Sequence, residues 1–285
     1  MEAPSGSERG PLRSIAALLV HSNLFISASA TGVALSTMLL ARLSPEFLPL
    51  FIVFAATLFV YSLNRLTDIE EDVKNVPGRA SFTDRYGRSF FLAGVALYVA
   101  AVGGAFVLGV SGAPFLLLPA GVAALYSLFR VKRFLLVKNL IVGVSWGIIP
   151  LGVGFYYGTV LVPEILVPFG FFTIMLTVAA ALFDIKDIEG DTAEGIRTVP
   201  IVFGPRATRI GSLVVTVLVG IAVVGIVAVG VVSRRFLVLL GFLAYVAAYP
   251  PFATEDRGPL FYGFVIDGEH IFLTLLVIAM EALGV

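Results

Sequence analysis

Residues 164–191 read EILVPFGFFTIMLTVAAALFDIKDIEGD, twenty residues with a single charge followed by eight with five. About 20 apolar residues in a row is the helix length that crosses the roughly 30 Å hydrocarbon core of a bilayer. A half-buried strand or a surface helix would alternate apolar with polar positions at its own period, and this run does neither. It reads as a spanning helix that leaves the membrane at an acidic cluster.

Similar apolar blocks lie on both sides of it. Nine can be marked, near residues 14–40, 46–64, 89–109, 114–129, 139–157, 164–183, 208–232, 236–253 and 260–282. Charged residues make up 13% of the 285-residue chain and mean hydropathy is +1.01, whereas soluble domains carry about 25% charged residues. The expected fold is therefore all-α, a multi-pass bundle of about nine transmembrane helices. Residues 1–13 form a loose polar tail, and 14–285 a single transmembrane domain. The run after Arg13 is too long for a signal-peptide core and lacks a cleavage site, so it is taken as the first span.

The basic residues then fix an expected orientation. With the N-terminus in the cytoplasm, sixteen Lys and Arg fall in cytoplasmic gaps, and only Arg42, Arg234 and Arg235 fall on the other side. That asymmetry is the positive-inside pattern, and it places the C-terminus opposite. The 29 Gly and 15 Pro are compatible with membrane helices, where small residues allow close approach. A net charge of zero gives no reason to expect a nucleic-acid partner. The absence of Cys excludes disulfides, thiolate metal sites and a Cys nucleophile. With His21 and His270 the only histidines, a His-rich zinc site is not expected.

Ten of the 19 acidic residues lie in two gaps, after the second and sixth segments. On a helix at about 100° per residue, Asn64, Asp68 and Asp72 share an arc of roughly 80°, and Asp184, Asp187 and Asp191 one of about 60°. Each helix end thus presents three oxygen-bearing side chains on one face. Two facing carboxylate rows repel unless a cation lies between them, and hard oxygen donors suit magnesium completed by substrate phosphate oxygens. A diphosphate bridged by magnesium is a good leaving group, and nearby Arg and Lys offset its remaining charge. The two gaps also share an order, NRLTDIEED–GRAS–RYGR and DIKDIEGD–IRTV–FGPR, which suggests a faint internal duplication.

The spacing N64-x-x-x-D68-x-x-x-D72 with D184-x-x-D187-x-x-x-D191 resembles the paired aspartate motifs of the UbiA family of intramembrane prenyltransferases. The likeness extends to the nine-segment layout, and to Tyr126-Ser127 followed by Lys132 and Arg133. The resemblance implies a helical bundle around a central cavity beneath cytoplasmic cap loops. It implies that Asp68, Asp72, Asp187 and Asp191 hold Mg2+ and the donor diphosphate, with Asn64 and Asp184 assisting. Lys132, Arg133, Arg79 and Arg197 would meet diphosphate oxygens, and Tyr126 would donate a hydrogen bond there. The activity implied is magnesium-dependent transfer of a prenyl group from an isoprenyl diphosphate to a lipophilic or aromatic acceptor in the membrane, among lipids. The candidate acceptors are an aromatic quinone precursor, a prenylated glycerol phosphate, a haem or a tetrapyrrole alcohol, the first two being the leading ones. The first motif opens with Asn64-Arg65, where family members acting on phenolic acids carry Asn-Asp, which points away from a simple hydroxybenzoate.

Aromatic faces stabilise an allylic cation, and Phe25, Tyr61, Phe155 and Tyr156 are candidates among 24 Phe and nine Tyr. Within the spans, Asn23 is positioned to line the cavity. Asp267, Glu269 and His270 are ionisable residues in a membrane segment, where such residues are costly and commonly functional; Asp267 and His270, three apart, are the expected inward pair. Two rival functions remain. A CDP-alcohol phosphotransferase also clusters aspartates around magnesium, but uses one motif and about six helices. A secondary transporter would place its ligands near the midplane on interrupted helices, whereas here the acids gather at helix ends.

Overall fold

Helix ends along the chain are set by proline and glycine. Proline is favoured in the first turn of a helix, where its missing N–H is not needed, and Pro77, Pro163 and Pro205 open three of the long helices. Gly158, in the left-handed region at φ 69°, closes another. The computed structural model describes residues 11–67, 69, 73, 76–110, 112–119, 121, 135–193 and 195–284, with the backbone alone for 11–14 and Pro259. Among these, no strand occurs. The helices are α1 (Pro11–His21), α2 (Leu24–Leu40), α3 (Phe47–Thr67), α4 (Pro77–Val107), α5 (Val137–Tyr157), α6 (Pro163–Phe183), α7 (Ile188–Ala193), α8 (Val199–Phe203), α9 (Pro205–Ala228), α10 (Leu239–Ala248) and α11 (Glu269–Leu283).

Among the described residues, seven helical stretches are long and apolar enough to cross a bilayer, and the bent pair Ile15–His21 and Leu24–Leu40 makes an eighth when counted as one span. These eight correspond to eight of the nine expected segments. The remaining one, 114–129, lies largely outside the described residues, after a 3-10 turn at Ala113–Leu117.

Three boundaries differ from the sequence expectation. The first run is not one straight helix, because it bends by 69° at Ser22–Asn23. Asn23 adopts φ 63°, a conformation that Asn tolerates better than most residues, and Ser27 Oγ donates to its carbonyl at 2.8 Å. Second, α4 starts at Pro77 rather than near residue 89. Arg79, Asp84, Arg85 and Arg88 therefore lie on a helix and not in a gap. Third, the last span is interrupted: Tyr262–Ile266 forms a π-helical turn, and the α-helix resumes at Glu269. A Cβ on Gly268 would collide with the Phe264 carbonyl oxygen, so this break needs a glycine.

Helix α2 is central and packs on α3, α5, α6 and α11. The α5–α6 contact is close because Gly143 and Gly147 face Thr173 and Thr177, where an added Cβ would overlap threonine oxygens. Small residues at such contacts let membrane helices approach and gain dispersion contact. The core between them is filled by Trp146, Phe171, Phe172, Met175 and Phe242. The outer surface is apolar as well: Ile210, Val214, Val217, Leu218 and Ile221 on α9 are all exposed. Water would penalise that surface, whereas lipid tails would not. The chain is an integral membrane protein.

Candidate active site

The acidic run that ends α6 does not continue as one helix. After Phe183 the chain passes through a turn and re-forms as the short helix α7, so the single carboxylate face expected from helical spacing is replaced by a folded cluster. Asp184 and Asp191, exposed by only 2% and 1%, converge on one ammonium: Lys138 Nζ lies 2.8 Å from Asp184 Oδ1 and 3.6 Å from Asp191 Oδ2. Asn139 Nδ2 donates to the other Asp184 oxygen at 2.8 Å. Helix α5 thus provides the cation that holds two buried carboxylates together. Asp187 points another way and pairs with Lys186, whose Nζ lies 2.5 Å from Oδ2 and 2.7 Å from Oδ1. With 18% of its side chain exposed, Asp187 is the accessible member of the three.

Beside this cluster a pocket opens between α1, α2, α3, α4, the end of α6 and the π-helical turn. Its polar lining includes Arg65, Arg79, Lys186, Asn23, His21 and Asp267. Phe25, Tyr61, Phe183 and Tyr262 supply aromatic walls. Arg65, Arg79 and Lys186 bring three cationic side chains to the polar end of this lining, groups of the kind that bind polyanion oxygens. Lys186 joins the two regions: its ammonium pairs with Asp187 and lies 5.8 Å from the Phe183 ring centroid and 5.9 Å from that of Tyr262. Burial pulls this ammonium below the ordinary lysine pKa; Asp187 opposes the shift, while Arg79 and Lys138 add to it. Farther in, Trp146 Nε1 donates to the Tyr61 hydroxyl at 3.2 Å.

The expected site residues are distributed as follows. Asn23 and Arg79 line the pocket. Asn64 is half-buried one turn before the end of α3, and its Oδ1 is buried with no hydrogen-bond partner among the described residues. Arg197 is exposed and outside the pocket lining. Asp68, Asp72, Tyr126, Lys132 and Arg133 lie outside the described residues. Of the aromatic candidates, Phe25 and Tyr61 line the pocket, whereas Tyr156 donates to Glu46 at 2.6 Å and Phe155 stacks on Phe115.

Asp267 and His270, expected as the inward pair, both face into the bundle but meet different surroundings, and His270 Nε2 lies 3.6 Å from Glu269 Oε1. Asp267 faces the pocket, while His270 is enclosed by Trp146, Phe172 and Phe242 with ring centroids 4.9–5.8 Å away. Sequence reading overlooked Lys138, Asn139, Arg65 and Lys186 as site residues. Lys186 lies inside the acidic motif, but at helical spacing it falls on the opposite face from Asp184, and only the turn after Phe183 brings it inward.

The donor set can be tested for magnesium. Carboxylate oxygens are the ligands magnesium takes, and Asp184 and Asp191 already enclose a cation, the Lys138 ammonium. Among the described residues, no three His, Cys, Asp or Glu converge, so a complete site would need the first motif too. In chemical type and charge the residues fit.

A polytopic helical membrane protein with a carboxylate cluster beside a cationic, aromatic-walled pocket has the layout of an enzyme handling amphipathic polyanions. The profile of the UbiA prenyltransferase family matches residues 8–258, and the chain belongs to that family. Digeranylgeranylglyceryl phosphate synthase of Methanothermobacter thermautotrophicus is 29% identical over 189 residues, 62% of this chain and 64% of that protein. The enzyme of the same name from Methanobrevibacter smithii is 34% identical over 83 residues, 29% of each chain. The matched stretches thus span less than two thirds of either relative. A UbiA homologue from Aeropyrum pernix K1 shares the fold at TM-score 0.67 and 16% identity, over 91% of this chain and 98% of that one. A homologue from Archaeoglobus fulgidus, bound to DMAPP and Mg2+, superposes at 0.61 and 15% identity, over 92% and 99%.

Proposed function

We propose that this protein transfers a prenyl group from an allylic isoprenyl diphosphate to an acceptor in the membrane, with release of diphosphate. The observation that carries this reading is the pocket, in which Arg65, Arg79 and Lys186 share one lining with Phe25, Tyr61, Phe183 and Tyr262. The cations seat diphosphate oxygens through charge-assisted hydrogen bonds. The aromatic walls take the prenyl chain and stabilise positive charge on its allylic carbon. An apolar surround excludes the water that would capture that carbon. The ligands in the A. fulgidus homologue, DMAPP and Mg2+, support the same assignment.

Asp187 and Asp191, with Asp68 and Asp72 of the first motif, are the residues assigned to magnesium, and Asn64 and Asp184 position them. When bound, magnesium would offset the charge that develops on the departing diphosphate. Tyr126, Lys132 and Arg133 are assigned to the diphosphate by their place in the family pattern, while the exposed Arg197 is left out of the assignment.

The acceptor assigned is a glycerol phosphate carrying one prenyl ether. The names of the two relatives support it, as does Arg65 in place of a second motif acid. The sixteen-to-three distribution of basic residues supports an N-terminus and aspartate motifs on the cytoplasmic side, with the C-terminus opposite.

Diphosphate release from geranylgeranyl diphosphate by purified protein tests the reading, with prenylglycerol phosphate and aromatic acceptors compared. Turnover should require magnesium, and Asp187→Ala should lower it by at least about 100-fold, the range for losing a major electrostatic contact to the transition state. Release that is indifferent to chelator would sink the assignment. Turnover with aromatic acceptors alone would replace the glycerol phosphate.

A further inference from the structure

The pocket contains one group that diphosphate binding leaves unexplained. Among the described residues lining it, Asp267 is the only carboxylate, and a carboxylate opposes a polyanionic ligand. It lies on the last span, in a membrane segment where an ionisable side chain is costly without a role. The backbone there is built around it. The π turn Tyr262–Ile266 precedes it, and Gly268, which tolerates no Cβ, follows. Its own carbonyl accepts a hydrogen bond from Ser29 Oγ of α2 at 2.8 Å. Such π turns recur at functional sites, and irregular backbone at membrane depth is tolerated where it lines a cavity. The second helix break, at Ser22–Asn23, lines the same pocket. The bend at Ser22–Asn23 on one span and the π turn on another therefore border one cavity, with Asn23 at the bend and Asp267 directly after the π turn.

We propose that Asp267 is the general base of the transfer, accepting the proton of the acceptor hydroxyl. This rests on the prenyl-transfer reading. A glycerol phosphate bearing one prenyl ether has one free hydroxyl left. As that oxygen bonds to the allylic carbon, the carbon–oxygen bond to diphosphate breaks and its electron pair leaves with diphosphate. The hydroxyl proton passes to the Asp267 carboxylate, so nothing is oxidised or reduced. The charged and titratable groups around it are Arg65 and Tyr61 on α3, Arg79 on α4, Lys186 after α6, His21 on α1, Tyr249 after α10, and Tyr262, Glu269 and His270 on its own span. Of the groups in the pocket, His21 and, once deprotonated, Lys186 are also able to take a proton, and the His21 ring lies 6.1 Å from that of Phe82.

The test is a single-turnover measurement on full-length protein in lipid nanodiscs, with geranylgeranyl diphosphate, magnesium and prenylglycerol phosphate, across pH. Asp267→Asn should slow the chemical step by on the order of 10²–10³-fold, within the usual range for a lost general base, while donor affinity stays within about threefold. The acid limb of the wild-type profile should disappear in Asp267→Asn and persist in His21→Gln. Formate should restore part of the rate to Asp267→Ala, which a purely structural role would not allow. Asp267→Asn turning over within about fivefold of wild type would overturn the proposal. So would loss of the acid limb in His21→Gln with its persistence in Asp267→Asn, or loss of donor binding in both Asp267→Asn and Asp267→Glu. Wild-type protein that releases no diphosphate with any acceptor marks the separate failure of the prenyl-transfer reading, and overturns the base with it.

Discussion

Two lysines neutralise the second acidic motif, and they do so in different surroundings. Lys138 holds Asp184 and Asp191, which are both fully buried, while Lys186 holds the more accessible Asp187 and faces the pocket. Breaking a buried ion pair from one side leaves uncompensated charge, at a cost of about 3–5 kcal/mol. Lys138→Met should therefore destabilise the protein by about 3 kcal/mol in chelator, the lower end because Lys138 is partly exposed. Magnesium should recover part of the loss if it can take the place of the ammonium. Thermal melting with and without the metal checks both, and a variant as stable as wild type would show the pair to be dispensable. For Lys186 the expectation concerns pH. Its pKa lies below the ordinary lysine value, so it loses its proton earlier as pH rises. Donor affinity should fall on that alkaline limb by roughly tenfold, as for losing one charge-assisted hydrogen bond of about 1.5–3 kcal/mol. Lys186→Arg should remove the fall, because guanidinium keeps its charge, and titration of donor binding between neutral and alkaline pH would reveal it.

At the scale of elements, the site depends on how closely α5 and α6 approach. Lys138 and Asn139 start α5, and Asp184 and Lys186 follow the end of α6, so the ion pair exists only if the two helices keep their spacing. Gly147 permits it, since a Cβ there would overlap the Thr173 hydroxyl and the Phe169 carbonyl. Gly147→Leu should lower stability by about 1–3 kcal/mol through overpacking and weaken donor binding as well, although the residue is not in the pocket lining. Thermal melting paired with donor titration distinguishes this outcome from a local effect, which would alter only the first. The two helix breaks act at the same scale. A straight first span would carry Asn23 along its axis, whereas the 69° bend holds it at the cavity that Asp267, directly after the π turn, also lines.

At the scale of the whole molecule, the proposed orientation puts the aspartate motifs in the cytoplasm and the turn before α10 outside. The chain has no Cys, so introduced cysteines can be labelled without background. Ser233→Cys and Thr192→Cys both replace exposed residues. In intact cells a membrane-impermeant maleimide should label the first and not the second. The reverse pattern would invert the topology and place the donor pocket on the opposite face.

Class and family were legible in the chain itself. Apolar runs of bilayer length appear in a sequence that satisfies its backbone within lipid as α-helices, and the spacing of Asn64, Asp68 and Asp72 with Asp184, Asp187 and Asp191 marked the acidic helix ends. Asn23 and Arg79, which line the pocket, were also among the expected residues. Tertiary structure decided which charges meet. Lys138 lies 46 positions before Asp184 in the chain, and Asp267 reaches the cations of three other elements across most of its length. Helical periodicity relates residues only within one continuous helix, so it was uninformative wherever a helix broke, at Asn23, after Phe183 and at Gly268. Those breaks line the pocket or position its charges, because backbone that departs from a helix in a membrane needs polar surroundings, and the cavity provides them.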